Sequence, residues 1–242
     1  MKALLVGINN YYKREWKLRG CLNDVQSMEN TLRYHGCHDI TRLTDRQATS
    51  HNIMTHLQNM STRHGDHILF YYSGHGSQVR DRNRDESDRK DEILCSVDIH
   101  KGSYVSDDMI YQWITGNHPS IRTTLIYDCC NSGTGNRSLR GHPRFIDVDI
   151  KQESRNIPMS RAIPKNHVFM SACQSYQLAN EVSVKGQTKG IFTTLFTTLA
   201  MNTQQESYMS ASKIIDTICD LFNYDQTPYV DGDRQHEEIF AL

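Results

Sequence analysis

No apolar run in this chain approaches the roughly 20 residues a membrane helix needs, so a spanning helix is not expected. The chain also lacks an excess charge of either sign. Its 27 Lys and Arg stand against 28 Asp and Glu, a formal net charge of −1. That balance argues against a nucleic-acid groove or an anionic membrane surface as the main partner. No CxxC pair occurs among the seven cysteines, which disfavours a zinc ribbon or a thioredoxin-like redox motif. No GxxxxGK[ST] loop is present, so phosphate-binding NTPase chemistry is poorly supported. The opening apolar stretch, Ala3 to Ile8, is too short for a secretory signal core. Together with the unpatterned cysteines it implies a reducing, cytoplasmic setting. A length of 242 residues allows one generous domain or two small ones.

Short apolar runs of strand length alternate with helical periods over most of the sequence. Strands are expected at Ala3–Ile8, Asp39–Leu43, His67–Tyr72, Ile93–Val97, Arg122–Tyr127 and His167–Ser171. Helices are expected over Asn23–Tyr34, from Ser50 onward, and over Asp107–Ile114, Gly190–Ala200 and Ser210–Phe222. The alternation predicts an α/β fold with a central, mostly parallel sheet and helices on both faces. Two stretches stand outside it. Asp81–Glu92 is a dense charge run, and Asn136–Lys165 carries three prolines, many arginines and little periodicity. A long structureless segment inside a compact domain usually means a flexible or functional loop. The final Glu238–Leu242 is apolar enough to be an edge strand.

Two predicted strands end in chemically loaded turns, one at Ser73-Gly74-His75-Gly76-Ser77 and one at Asp128-Cys129-Cys130-Asn131-Ser132-Gly133. In open parallel sheets ligands bind beyond the carboxyl ends of strands. If the two strands are neighbours, an imidazole and a thiol meet at that edge. A cysteine with a positioned histidine is the smallest constellation for thiolate catalysis, the imidazole relaying the proton. Backbone N–H groups at Gly76 and at the Cys130 turn are placed to hold a developing oxyanion. Each turn alone has a plain packing explanation, and their joint placement favours function.

YYSGHGS, followed 55 residues after its histidine by DCCNSG, resembles the His and Cys boxes of the caspase-like cysteine peptidases. It is most similar to their metacaspase and orthocaspase branch, whose Cys box commonly reads D-S-C-H-S-G. LRGCLNDVQSM, DEILCSVD, SDDM, SACQSYQLANE and GIFTTLFTTL extend the resemblance over nearly the whole chain. It implies a caspase-haemoglobinase-like fold in one catalytic domain over 1–242. That domain would divide into a large-subunit-like part (1–135), a loop (136–165) and a small-subunit-like part (166–242). Cys130 takes the nucleophile position and His75 that of the general base. Cys129 falls where the family has Ser, and Asn131 replaces the usual His. Asp24 and Asp128 match the acids that hold the substrate's P1 side chain. Two carboxylates suit a guanidinium or an ammonium, so cleavage after Arg or Lys is expected. Ser73 and Cys21 match further residues of the same pocket.

The resemblance also bears on metal and processing. Many metacaspases bind Ca²⁺ through clustered acids, and Asp91, Asp107 and Asp108 match three such positions. A fourth acid is missing where Gly135-Asn136-Arg137 stands, and losing one hard oxygen ligand weakens such a site. For Asp107 and Asp108 helix capping is the competing reading. No organic cofactor is implied. The arginine-rich loop lies where such enzymes are often cut, making Arg137, Arg140, Arg144, Arg155 and Arg161 candidate self-processing sites. The expected partners are protein or peptide substrates with basic P1 residues, and the expected state is a monomer. Two rivals stay open: a peptide ligase using the same dyad, and a silent scaffold that binds basic peptides.

Overall fold

Five of the six residues in the first strand, KALLVG, are buried, the pattern of a strand covered on both faces. The computed structural model describes residues 1–60, 64–80, 90–130, 143–148, 165–174, 177–184, 186–202, 210–221 and 226–240. Its main sheet contains β1 (Lys2–Gly7), β2 (Asp39–Thr44), β3 (His67–Ser73), β7 (Arg122–Asp128), β8 (His167–Ser171) and β11 (Tyr229–Asp231). Their spatial order is β11-β8-β7-β3-β1-β2. All neighbours pair in parallel except β11, which runs antiparallel on β8. Two small antiparallel sheets stand apart: β4 (Gly76–Arg80), β5 (Lys90–Leu94) and β6 (Val105–Ser106) form one, β9 (Glu181–Val184) and β10 (Gln187–Gly190) the other.

Side chains alternate across the sheet and divide the core in two. Leu4, Val6, Phe70, Tyr72, Leu125 and Tyr127 face one side, with Ile53, Met54 and Leu57 of α2 (Ser50–Met60) and Ile110 and Trp113 of α3 (Asp107–Gly116). Ala3, Leu5, Leu69, Tyr71 and Ile126 face the other, with Val25, Met28 and Leu32 of α1 (Cys21–Tyr34), Phe192 and Phe196 of α4 (Ile191–Asn202) and Ile214, Ile215 and Ile218 of α5 (Ala211–Leu221). This is the expected α/β layering, with a mostly parallel sheet between helices. The order of β2, β1 and β3 places a switch point at the carboxyl ends of β1 and β3, where open α/β sheets bind ligands.

Two expectations need correction. The run predicted as Ile93–Val97 is β5, Lys90–Leu94, which pairs with β4 and β6 and stays outside the main sheet. Glu238 makes a single antiparallel bridge to Ser210, and the described part of 238–242 forms no strand. The edge position belongs to β11, whose three residues hydrogen-bond only to β8. Most of the charge run, 81–89, lies outside the described residues.

Candidate active site

Register brings the two loaded turns together. Ser73 at the end of β3 is the partner of both Gly7 in β1 and Asp128 in β7. The chain then leaves the sheet at Ser73–Gly76 and Asp128–Cys130. Gly74 is tight: a Cβ there would lie 2.8 Å from the Tyr11 hydroxyl and nearer still to that of Tyr72. A Cβ on Gly76 would overlap the Cys130 carbonyl oxygen. The two glycines flanking His75 are therefore required by close backbone approach, with no left-handed conformation involved.

His75 is almost wholly buried and held from two sides. Its backbone N–H donates to the Tyr11 hydroxyl at 2.9 Å, and the Tyr11 ring lies 4.9 Å from the imidazole. Nε2 lies 2.8 Å from the Trp16 carbonyl oxygen. A carbonyl only accepts, so this contact assigns the proton to Nε2 and leaves the lone pair on Nδ1. Nδ1 is buried and makes no aligned hydrogen bond among the described residues. Burial pushes the imidazole down to about 4, with the Trp16 carbonyl pulling the other way. That shift favours the uncharged ring at neutral pH, with its lone pair on Nδ1.

The adjacent cysteines point to opposite faces. Cys129 packs with Tyr72, Tyr127 and Cys95, and burial drives its thiol well above its ordinary value. Cys130 packs with the second core, and its Sγ accepts the Ala179 N–H at 2.8 Å. It makes no hydrogen bond to His75 in this conformation. The backbone N–H of Cys130 and that of Gly76 converge on one oxygen, the carbonyl of Arg144, at 3.2 and 2.9 Å. Such a pair of donors on one carbonyl is the arrangement that stabilises a tetrahedral oxyanion.

Arg144 belongs to the arginine-rich loop and is fully buried. Its N–H donates to the Ala179 carbonyl at 3.1 Å, Pro143 bridges antiparallel to Asn180, and Phe145 bridges to Gly76. The segment thus runs through the cleft in extended form. Its guanidinium sits among three buried carboxylates. Nη2 lies 2.6 Å from Asp24 Oδ2 and 3.4 Å from Glu181 Oε1. Nη1 lies 3.0 Å from Asp128 Oδ1, a contact without hydrogen-bond alignment, and donates to Ser73 Oγ at 2.9 Å. Ser73 Oγ in turn donates to Asp24 Oδ2 at 2.9 Å.

The acids are held in place from behind. Asp24 Oδ1 accepts the Gly190 N–H, and Asp128 Oδ2 accepts both the backbone N–H and the hydroxyl of Thr193. Burial pushes the Asp24 carboxyl up to about 6; the Arg144 charge opposes this and Asp128 adds to it. Burial alone works against the Arg144 charge, but Asp128, Asp24 and Glu181 outweigh it and push the guanidinium further up. Cys21 is buried beside the same cluster, its thiol pushed up to about 12 by burial.

Other expectations fare differently. Ser106 Oγ caps α3 by accepting the Met109 N–H, and Asp107 Oδ1 accepts the Asp108 N–H in its first turn. Asp91 is buried in β5. Among the described residues no group of three or more His, Cys, Asp or Glu side chains is gathered to hold a metal. Arg137, Arg140, Arg155 and Arg161 lie outside the described residues. Sequence reasoning did not single out Glu181, Trp16, Tyr11 or Ala179. Only Glu181 had a visible signal, as the acid closing SACQSYQLANE.

Comparison with known proteins decides the family. The model of the metacaspase, peptidase C14 domain matches residues 1–136, more than half of the chain. The chain belongs to the metacaspase family. Metacaspase-1 of Mycosarcoma maydis is 33% identical over 215 residues, covering 84% of this chain and 50% of the relative. Metacaspase-1B of Neurospora crassa is 37% identical over 205 residues, covering 79% of this chain and 46% of the relative. This metacaspase chain thus spans about half the length of those relatives. Among solved structures, protein GSU0716 from Geobacter sulfurreducens superposes with a TM-score of 0.77 at 21% identity. That match covers 100% of this chain and 98% of the other. Caspase-1 from Spodoptera frugiperda gives 0.63 at 14% identity, over 96% of this chain and 85% of that one. At such identities the likeness concerns the fold, which is caspase-like. No described helix is long and apolar enough to cross a membrane.

Proposed function

We propose that this chain is a cysteine endopeptidase that hydrolyses peptide bonds after Arg or Lys, with Cys130 as nucleophile and His75 as base. In the same reading it cuts itself between Arg144 and Phe145. One observation carries the proposal: Arg144 lies with its side chain among Asp24, Asp128 and Ser73 while its carbonyl accepts from both Gly76 and Cys130. That is the pose a P1 residue needs, and it favours Arg144 over the other loop arginines.

In this mechanism Cys130 Sγ attacks the P1 carbonyl carbon and its proton passes to His75 Nδ1. The carbonyl becomes an oxyanion between the Gly76 and Cys130 N–H groups. As the intermediate collapses, the C–N bond breaks and the imidazolium returns the proton to the departing amine. Water, deprotonated by the same imidazole, then hydrolyses the thioester and releases the thiol. The neutral state of His75 supports its role as acceptor, and the Trp16 carbonyl steadies the imidazolium that forms.

Fluorogenic peptides differing only at P1, as Arg, Lys or Asp, test the reading. Cleavage after Arg or Lys that is lost in Cys130→Ala but kept in Cys129→Ala is the expected result. A preference for Asp, or activity surviving in Cys130→Ala, contradicts it.

A further inference from the structure

The third carboxylate of the pocket comes from outside the two boxes. Glu181 opens β9, and its side chain is buried 3.4 Å from Arg144 Nη2. It is fixed by the start of α1, accepting the Gly20 N–H at 2.6 Å and the Arg19 N–H at 3.2 Å. The β9–β10 hairpin that carries it is itself pinned to α1. Asn23 donates to the Thr188 carbonyl, Lys189 to Ser27 Oγ, and Gly190 N–H to Asp24.

The resulting slot is narrow as well as acidic. A Cβ on Gly20 would lie 2.8 Å from Glu181 Oε1 and 3.0 Å from Arg144 Nη2. A Cβ on Gly190 would lie 2.8 Å from Nη1. Two glycine backbones therefore press close to the guanidinium, leaving room for a planar group. Its two terminal nitrogens have divided tasks: Nη2 spans Asp24 and Glu181, while Nη1 spans Asp128 and Ser73.

We infer that Glu181 is a specificity-determining residue that makes this pocket select Arg over Lys at P1. The inference rests on the pocket being the P1 site. A lysine Nζ falls where the guanidinium carbon sits, one bond short of both terminal nitrogens. As a single point charge it cannot span the two acid pairs at once. It leaves Glu181 buried and without a cation, whereas arginine engages all three acids. Discrimination by a site that leaves its own polar groups unpaired with the wrong ligand is steep.

The test compares kcat/KM for two peptides identical except for Arg or Lys at P1, in wild type, Glu181→Gln and Glu181→Asp. Gln keeps an oxygen for the Gly20 N–H and removes only the charge. Wild type should prefer Arg by about thirtyfold or more, the scale of one or two charge-assisted hydrogen bonds. Glu181→Gln should lower the Arg value about tenfold or more, mainly through KM, and leave the Lys value within about threefold. Glu181→Asp, with a retracted carboxylate, should fall between them. Wild type that cleaves both peptides equally overturns the inference whether or not the variants fold. So does a Glu181→Gln enzyme with an unchanged Arg-to-Lys ratio. If wild type cleaves neither peptide while cutting after Asp, it is the reading of the pocket that fails.

Discussion

Replacing Arg144 with Gln, in a Cys130→Ala background that keeps the loop intact, removes the cation paired with the buried acid cluster. The ion pairs lost are those to Asp24 at 2.6 Å, Asp128 at 3.0 Å and Glu181 at 3.4 Å, all between buried side chains. Breaking a buried pair by removing one partner costs about 3–5 kcal/mol. The lower end applies, about 3 kcal/mol, because water can enter a vacated cleft and resolvate the acids. The cost must depend on pH. With Arg144 present, the Asp24 carboxyl titrates near 6, and the guanidinium is one of the influences holding it that low. Without that charge its value rises further. A carboxyl raised above its unfolded value contributes stability that is complete below the unfolded value and lost as pH rises through the folded one. The Cys130→Ala parent therefore completes that loss just above pH 6, and the Arg144→Gln variant goes on losing stability beyond it. Urea unfolding of both proteins at pH 5 and pH 8 measures the difference. The destabilisation should be larger at pH 8 by at least about 1 kcal/mol, which is less than one pKa unit of linkage. An equal loss at both values, or no loss at all, refutes the claim that Arg144 neutralises Asp24.

Three further outcomes follow from the same geometry. For an Arg peptide, kcat/KM should rise as pH increases through about 6 and above, because Asp24 must be ionised to grip the guanidinium; a flat profile between pH 5 and 8 contradicts this. Gly76→Ala should lower kcat by about a hundredfold or more, since its Cβ overlaps the Cys130 carbonyl and one oxyanion donor must move. Circular dichroism at matched concentration separates that effect from unfolding. Tyr11→Phe strips the hydroxyl that accepts the His75 N–H and donates to the Cys95 carbonyl or Tyr72, leaving a buried donor unmet. It should cost about 1–3 kcal/mol by urea unfolding, and an unchanged midpoint would show that the hydroxyl holds nothing.

The legible part of this protein lay where chemistry and periodicity coincide. Three of the five main-sheet strands placed from sequence, β1, β3 and β7, could be read because burial on both faces makes near-continuous apolar runs. His75, Cys130, Asp24 and Asp128 could be nominated because each sits in a short segment of distinctive residue types. The hairpin of β9 and β10 could not, since the alternation in EVSV is only four residues long and QTKG has none. β4 was equally hidden, being only GSQVR running into a charge cluster. Glu181 stood alone in its segment, and nothing local shows that a residue 157 positions after Asp24 shares its pocket. Arg144 was one of five loop arginines of equal standing. What distinguishes it is tertiary: its carbonyl reaches two backbone N–H groups while its side chain reaches three acids. The C-terminal apolar residues misled for the opposite reason. Ile239 and Phe240 are buried side chains of the second core, and their hydrophobicity reflects helix packing, with no strand pairing.

The central claim is that Arg144 lies in its own chain's active site as a P1 residue. Intact mass and N-terminal sequencing of purified wild type and Cys130→Ala test it most directly. The account predicts a new N-terminus at Phe145 in wild type and none in Cys130→Ala. Cleavage at Phe145 that persists in Cys130→Ala, or wild-type processing only after other residues, would contradict it.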